Sequence, residues 1–316
     1  MNRRLLLALA AAFTPPALQA QTTPLRLVVP FTPGTGIDLI ARTLGPTLAE
    51  RLGRPVLVDN RPGASGNLGT EAVVRAAPDG NTLLVTVNTL VMNRALYPKA
   101  GFDPLKDLDP VSLTSWGQLL LVAGKGSGIS DAATLLARAR TRPGGLNYAS
   151  PGNGTPHHLA MELLKNQARL FITHIPYRGT AGALTDLLGG QVDLMFLPIH
   201  VALQHVRTGA LRAIGISSAR SHALLPEVPP LRTLGLGDLD VEMWYGVLAP
   251  AGTPRALVER LQSHMASILE LIDVKLAFES QGMIPAHSTP EAFRRLIDRD
   301  AARWAALIQA QGIRAD

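Results

Sequence analysis

The feature that most constrains the fold is a regular alternation of short apolar runs, typical of strands, with amphipathic runs typical of helices. Residues 25–31 predict a buried strand, and the apolar periodicity that follows Asp38 predicts a helix ending at Gly53. The same order of strand, loop and helix recurs as far as residue 216. Strands that alternate with helices of this length favour mainly parallel sheets flanked by helices. We therefore predict an α/β fold.

The length of the chain points to two lobes, with one large domain as the alternative. The chain has 316 residues, whereas a single hydrophobic core rarely grows much beyond about 250 residues. We place the crossovers, which would act as hinges, near residues 124 and 244. Residues 21–123 plus 244–316 would then form a discontinuous first lobe and residues 124–243 a second lobe, with a cleft between them.

The N-terminus carries an export signal. Arg3 and Arg4 precede an apolar run at 5–13 and a stretch of small residues that ends at Ala20. The run is shorter than the roughly 20 residues of a membrane span. We predict a secretory signal peptide over 1–20 and a mature protein in the periplasm, with an N-terminal core helix as the alternative.

Composition and motifs exclude several classes of protein. The net charge is +6, but the basic residues form no dense run and aromatic residues are only 4% of the chain, so we expect no nucleic-acid partner. The spacings of serine-hydrolase, phosphate-loop, zinc-protease and dinucleotide motifs are missing, and so is cysteine. His158 and Glu162 lie four residues apart without a third metal ligand. We predict a binding protein with no catalytic residue, no cofactor and no metal.

Two loops have the character of anion sites. The loop at 33–38 lies between a strand and a helix start, where backbone N–H groups and the helix dipole favour a carboxylate; a simple tight turn is the alternative. The loop at 150–156 has the same character, with Thr155 as helix cap and Pro156 at the first helical position. We predict that they face each other across the cleft. The predicted contacts are Gly34, Thr35, Gly36, Ile37, Ser150, Asn153, Gly154 and Thr155.

Four further side chains are candidates for the rest of the cleft. Five residues stand at or just beyond predicted strand ends, although ordinary packing is the alternative at each position: Asn88, Trp116, Asp193, Trp244 and Tyr245. The first four are the predicted contacts. Their mixed character fits an amino acid, a hydroxy acid or an aromatic acid. An ionised Asp193 would disfavour a second ligand carboxylate beside it and favour an amino or hydroxyl group.

Several segments, in order along the mature chain, carry a resemblance to a known family. They are residues 30–38, 60–69, 76–84, 154–160, 174–179, 183–196 and 249–254. In these segments the chain resembles the substrate-binding proteins of tripartite tricarboxylate transporters, also called the Bug or TctC-like family.

The resemblance implies a type II periplasmic-binding-protein fold that holds organic acids, among them dicarboxylates, acidic amino acids and aromatic acids. It implies backbone and water contacts to a ligand carboxylate at loops that correspond to 34–37 and 150–155. Thr35 and Ile37 depart from the glycine and the small polar residue common in the family, so we expect an altered contact at the first loop.

From these observations we expect hinged closure around a small carboxylate and transient contact with membrane transporter subunits. The alternative is a sensing subunit that reports a bound carboxylate to a signalling receptor. We expect a monomer.

Overall fold

A computed structural model describes residues 23–314. The predicted signal peptide, 1–20, lies outside the described residues. Between residues 23 and 314, no helix is both long and apolar enough to cross a membrane.

The described part of the chain alternates strands with helices, as the apolar pattern predicts. The strands are β1 (Leu25–Val29), β2 (Val56–Asn60), β3 (Thr82–Val87), β4 (Leu108–Gly124), β5 (Asn147–Ser150), β6 (Thr173–Pro176), β7 (Leu194–Pro198), β8 (Leu211–Ile216), β9 (Glu242–Pro250) and β10 (Met283–Pro285). The helices are α1 (Gly36–Leu52), α2 (Asn67–Val74), α3 (Thr89–Leu96), α4 (Ala132–Thr141), α5 (Pro156–Ala168), α6 (Thr180–Leu188), α7 (Ile199–Arg207), α8 (Arg255–Leu269), α9 (Ile272–Ser280) and α10 (Pro290–Ala310).

Two sheets share one long strand. In the first sheet β1 pairs in parallel with β2 and β3, and in the second β5 pairs in parallel with β6 and β7. Residues 108–118 of β4 pair antiparallel with β9, whereas residues 119–124 pair antiparallel with β7 and β8. The chain therefore passes from one sheet to the other within β4.

The first crossover comes earlier in the chain than the position predicted near 124. The pairing of β4 changes from β9 at Gln118 to β7 at Leu119. Gly124 lies at the far end of β4 inside the second sheet, where its N–H donates to the carbonyl of Asp193 at 2.9 Å. Continuous strand pairing thus carries the chain across between Gln118 and Leu119.

The return crossover follows β8 and is tied to the first by Ser217. This residue is fully buried, and its N–H donates to the carbonyl of Leu119 at 2.9 Å. Its hydroxyl donates to the carbonyl of Val241 at 2.6 Å, just before β9 begins. Through its backbone N–H and its hydroxyl, Ser217 therefore holds together the outgoing and returning segments that connect the two sheets.

The C-terminal helices complete the first lobe. Helices α8 and α10 pack against β4, and α8 also contacts α1. Phe293 of α10 meets Trp244 of β9 edge to face, with ring centroids 5.2 Å apart. A separate apolar cluster, which includes Leu197 and Ile216, packs in the second lobe. The first sheet and its helices therefore draw on the earliest and the latest elements of residues 23–314, and the second sheet is formed by elements between them.

Candidate functional site

Two neighbouring cavities lie between the lobes. The inner cavity encloses about 40 Å³. The outer cavity, about 560 Å³, is lined by the loop at 62–66 on one side and by Tyr177 and Arg178 on the other. Phe31 and Pro151 belong to the walls of both, so the two cavities are neighbours. The inner cavity is lined by Phe31, Thr35, Gly36, Ile37, Val87, Thr89, Met243 and Tyr245 of the first lobe, and by Pro151, Thr155, Pro156, His157, Thr180, Pro198, His200 and Val201 of the second.

Five helices begin at the wall of the inner cavity. Its lining contains first-turn residues of α1 and α5, the first residue of both α3 and α6, and the second residue of α7. The first four N–H groups of a helix have no partner within it, and the helix dipole places positive charge at this end. Among the described residues, no Lys, Arg, Asp or Glu lines the inner cavity. Backbone groups therefore supply its attraction for an anion.

The first loop is held in place from behind by Asp38. Its carboxylate accepts hydrogen bonds from the Gly34 N–H at 2.9 Å and from the side chains of Arg42 and Asn60, each at 3.0 Å. Burial alone would raise the pKa of Asp38, but these hydrogen bonds outweigh it and hold the pKa below its ordinary value. Gly34 has a φ of +83°, which favours glycine at this turn. The ionised Asp38 therefore stabilises the loop that leads into α1.

Gly36 allows the two lobes to approach closely. A Cβ atom at this position would lie 3.0 Å from Cε1 of His200, in the second lobe, and 3.0 Å from the hydroxyl oxygen of Tyr245. Contacts this short are tighter than ordinary van der Waals contact between such atoms. The missing side chain at Gly36 thus leaves room for both rings beside the start of α1.

The second loop is shaped by hydrogen bonds within the second lobe. The Thr155 hydroxyl donates to the carbonyl of Gly152 at 2.8 Å and accepts from the N–H of His158 as the helix cap. Nδ1 of His158 accepts from the Gly154 N–H at 3.1 Å. Burial, together with the nearby His174, lowers the pKa of His158 to about 3. The imidazole therefore stays neutral and keeps its acceptor nitrogen for the loop.

The histidines of the inner cavity are also neutral. Burial and the neighbouring His200 lower the pKa of His157 to about 3, and burial lowers the pKa of His200 to about 4. Burial raises the pKa of the Tyr245 hydroxyl far above its ordinary value. The positive ends of the surrounding helices act in the same direction on a histidine, because they oppose a second positive charge. The cavity wall is thus uncharged at neutral pH but carries polar atoms.

Four of the eight predicted loop residues line the inner cavity: Thr35, Gly36, Ile37 and Thr155. The other four lie behind it. Gly34 and Gly154 donate their N–H groups to Asp38 and His158, and the Ser150 hydroxyl shares a 2.7 Å hydrogen bond with Nε2 of His174. The carbonyl of Asn153 accepts from the hydroxyl of Tyr97 at 3.5 Å. These residues fix the shape of the loops, and direct ligand contact at the four lining positions stays a prediction.

The structure does not bring the four strand-end candidates to either cavity. Trp244 lies between Met243 and Tyr245 on β9, and successive side chains of a strand point to opposite faces. Its neighbours reach the inner cavity, whereas its indole donates to Asp300 at 2.7 Å on the other face. Trp116 pairs with Trp244 across the sheet and lines the same remote hollow.

Asp193 and Asn88 are engaged elsewhere in the fold. Asp193 precedes β7, and its carboxylate accepts from the N–H of Asn147 at 2.9 Å. It therefore lies at the amino end of the parallel strands, opposite to the carboxyl ends where ligands bind in such sheets. The side-chain amide of Asn88 is buried and donates to the carbonyl of Glu242 at 3.0 Å. The effect that an ionised Asp193 would have on ligand choice therefore does not apply to these cavities.

Sequence reasoning missed the residues that start the shorter helices. Each lies two to four residues after the end of a strand, in the first turn of a short helix: Thr89 in α3, Thr180 in α6 and His200 in α7. The available signal was their position beyond the carboxyl ends of strands. Tyr245 was among the strand-end residues but was not predicted as a contact. His157 was also outside the predicted contacts, because a histidine inside a helix is common in ordinary cores.

The fold and the cleft define a two-lobe α/β binding protein with its site between the lobes. The chain belongs to the family whose model is described as "Tripartite tricarboxylate transporter family receptor", which matches residues 40–313. Members of this family are periplasmic solute-binding proteins and not enzymes. The predictions of the fold class and of the family are confirmed.

Individual relatives agree with this assignment. A UPF0065 protein from the tcbD–tcbE intergenic region of Pseudomonas sp. (strain P51) is 37% identical over 314 residues, covering 97% of this chain and 94% of the relative. The structure of an R. palustris protein with adipate is similar with a TM-score of 0.89 and 30% identity, over 93% of this chain and 99% of that one. The periplasmic binding protein BugD is similar with a TM-score of 0.87 and 29% identity, over 92% and 98% of the two chains.

Proposed function

We propose that the chain is exported to the periplasm, captures a small organic carboxylate between its lobes and presents it to the membrane subunits of a tripartite tricarboxylate-type transporter. The observation that carries this proposal is the set of five helix N-termini around one uncharged cavity. Helix N-termini bind anions without a basic side chain. The adipate in the similar R. palustris structure supports a carboxylate as the ligand class.

The sheet pairing indicates which two segments would act as hinges when the lobes close. The lobes connect through β4 at Gln118–Leu119 and through the segment between Ser217 and β9. The lining of the inner cavity comes from both lobes, so a bound carboxylate would contact both and favour the closed arrangement. We propose that these two segments are the hinges and that the lobe division lies there instead of near 124. The closed form would be the one that the transporter recognises.

A thermal-denaturation screen tests the proposal. The purified protein, freed of carried-over ligand, is melted with a panel of organic acids and with the matching carboxamides. A ligand at 100 times its Kd adds about 2.7 kcal/mol to the free energy of unfolding. We expect at least one acid to raise Tm in a concentration-dependent way while its uncharged amide does not. A folded protein whose Tm responds to no acid would contradict the proposed function.

A further inference from the structure

Several polar atoms in the wall of the inner cavity lack a hydrogen-bond partner among residues 23–314. They are Nδ1 and Nε2 of His157, Nε2 of His200 and Oγ1 of Thr89, and each is buried from solvent. Buried polar groups in native proteins are nearly always hydrogen-bonded, so an exception calls for an explanation. All four atoms belong to residues of the inner-cavity wall, so a ligand group in this cavity is a candidate partner for them.

The chemistry of His157 restricts that partner further. A neutral imidazole carries one N–H donor and one acceptor nitrogen, whichever tautomer it adopts. A carboxylate accepts hydrogen bonds but donates none, so it can satisfy only the N–H of His157. The acceptor nitrogen requires a group that donates a hydrogen bond, and a ligand hydroxyl can supply it.

The electrostatics of the cleft argue against an ammonium group as that donor. Five helix N-termini face the inner cavity, and a positive charge there is unfavourable. Among the described residues that line the two cavities, Arg178 is the one charged side chain, and it is itself positive. An amino acid would therefore bring its ammonium group to a region without a carboxylate to pair with it. A hydroxyl donates and accepts without carrying charge.

We propose that the inner cavity selects hydroxy acids, whose carboxylate binds at the helix N-termini and whose hydroxyl binds the imidazoles of His157 and His200. This inference rests on the proposed function and narrows its ligand class. The rest of the ligand extends past Phe31 and Pro151 into the outer cavity, which is more than ten times larger.

Three matched series of acids test the inference on the unmodified protein. Within each series, the three acids share one carbon skeleton and differ only in the substituent beside the carboxylate, which is a hydroxyl, a hydrogen or an amino group. The series are lactate, propionate and alanine; malate, succinate and aspartate; and mandelate, phenylacetate and phenylglycine. Both enantiomers are used where they exist. Isothermal titration calorimetry at pH 7 gives the Kd values. In any series that binds, we expect one hydroxy acid enantiomer to bind about 10-fold or more tightly than the unsubstituted acid, and the amino acid to bind most weakly.

Substitutions then locate the selectivity. In His157→Leu and His200→Leu, the ratio of the two Kd values for the unsubstituted and the hydroxy acid should fall below about 3, because the imidazole no longer bonds to the hydroxyl. His264→Leu is the matched control, since His264 lies on α8 outside both cavities, and it should keep the full ratio.

The possible failures are distinguishable. An unsubstituted acid or an amino acid that binds the unmodified protein as tightly as the hydroxy acid would overturn the hydroxyl inference and leave carboxylate binding intact. Variants of His157 and His200 that fold and keep the full ratio would overturn the role of the imidazoles. If a variant fails to fold, the Kd values of the three series on the unmodified protein still test the preference for a hydroxyl group. No binding by any of the nine compounds would contradict the proposed function itself.

Discussion

Replacement of Gly36 by alanine should weaken ligand binding without unfolding the protein. The added methyl group would lie 3.0 Å from Cε1 of His200, which belongs to the opposite lobe. The clash therefore acts on the closed form. Overpacking of this kind costs about 1–3 kcal/mol. Since closure and binding are coupled, the same cost corresponds to a rise in Kd of roughly 5- to 150-fold.

The effect of Gly36→Ala on stability should be small. The methyl group would also lie 3.0 Å from the Tyr245 hydroxyl oxygen, within the first lobe, but Gly36 is the first residue of α1, and alanine favours a helix over glycine by up to about 1 kcal/mol. These two contributions oppose each other. Calorimetry gives Kd, and denaturant unfolding checks the free energy of unfolding.

Gly45→Ala in the same helix is the matched control. Its added methyl group would meet Val56 at 3.7 Å, an ordinary contact remote from the cavity. We expect an unchanged Kd and no gain in stability, because Pro46 follows directly and its ring disfavours a helical conformation for a preceding residue that carries a Cβ, which offsets the usual benefit of alanine inside a helix. A folded Gly36→Ala variant with the Kd of the unmodified protein would refute the close approach of the lobes at this position.

Three further changes test the parts of the structure that support the site. Ser217→Ala removes the buried hydroxyl that bonds to the carbonyl of Val241, so the free energy of unfolding in denaturant should fall by about 1–3 kcal/mol, and an unchanged value would contradict its role between the crossovers. The folded-state pKa of Asp38 is lowered, so its contribution is present above its unfolded pKa near 3.9 and is lost as pH falls further. Asp38→Asn should therefore be less stable than the unmodified protein at pH 7. Between pH 4 and pH 2.5 the variant should lose less stability than the unmodified protein does, and equal losses in the two proteins would contradict this. The pKa of His157 is also lowered, so the unfolded state binds a proton that the folded state does not between about pH 6.5 and pH 3. Stability therefore decreases as the pH is lowered through this window, and His157→Leu should reduce that slope by up to about 1.4 kcal/mol per pH unit. Equilibrium unfolding at several pH values measures the slope, and an unchanged slope would show that His157 is protonated in the fold.

Much of the fold follows from local pattern. The strand predicted at 25–31 contains β1, and the helix predicted to end at Gly53 is α1, which closes on Gly53 with a φ of +61°. These elements combine apolar periodicity with a strong end signal. The loop at 33–38 was predicted as an anion site for the same reason, because a glycine-bearing turn and a helix start are both visible in the sequence.

Other elements could not be predicted from local pattern. The first half of β4 is interrupted by Pro110 and carries the buried polar residues Ser112, Thr114 and Ser115, so it lacks the apolar run expected of a central strand. Helices α3 and α7 have only 8 and 9 residues and follow strands almost directly, without a side-chain cap. Helices this short depend on tertiary packing for their stability, and sequence periodicity identifies them poorly.

The orientation of β9 shows a third limit. Met243, Trp244 and Tyr245 are all buried, so neither face of the strand has a polar alternation that would identify the side toward the cleft. A strand covered on both faces has a continuous apolar pattern. Only the three-dimensional packing distinguishes Tyr245, at the inner cavity, from Trp244, which faces α10.

The most direct test of the central claim compares one acid with its own carboxamide. The acid that raises Tm most in the screen is titrated into the purified protein by calorimetry, and its amide is titrated under the same conditions. If helix N-termini hold a carboxylate in the inner cavity, the acid should bind at least about 100-fold more tightly, since hydrogen bonds to a charged group and five aligned dipoles are lost with the charge. An amide that binds as tightly as the acid would contradict the account.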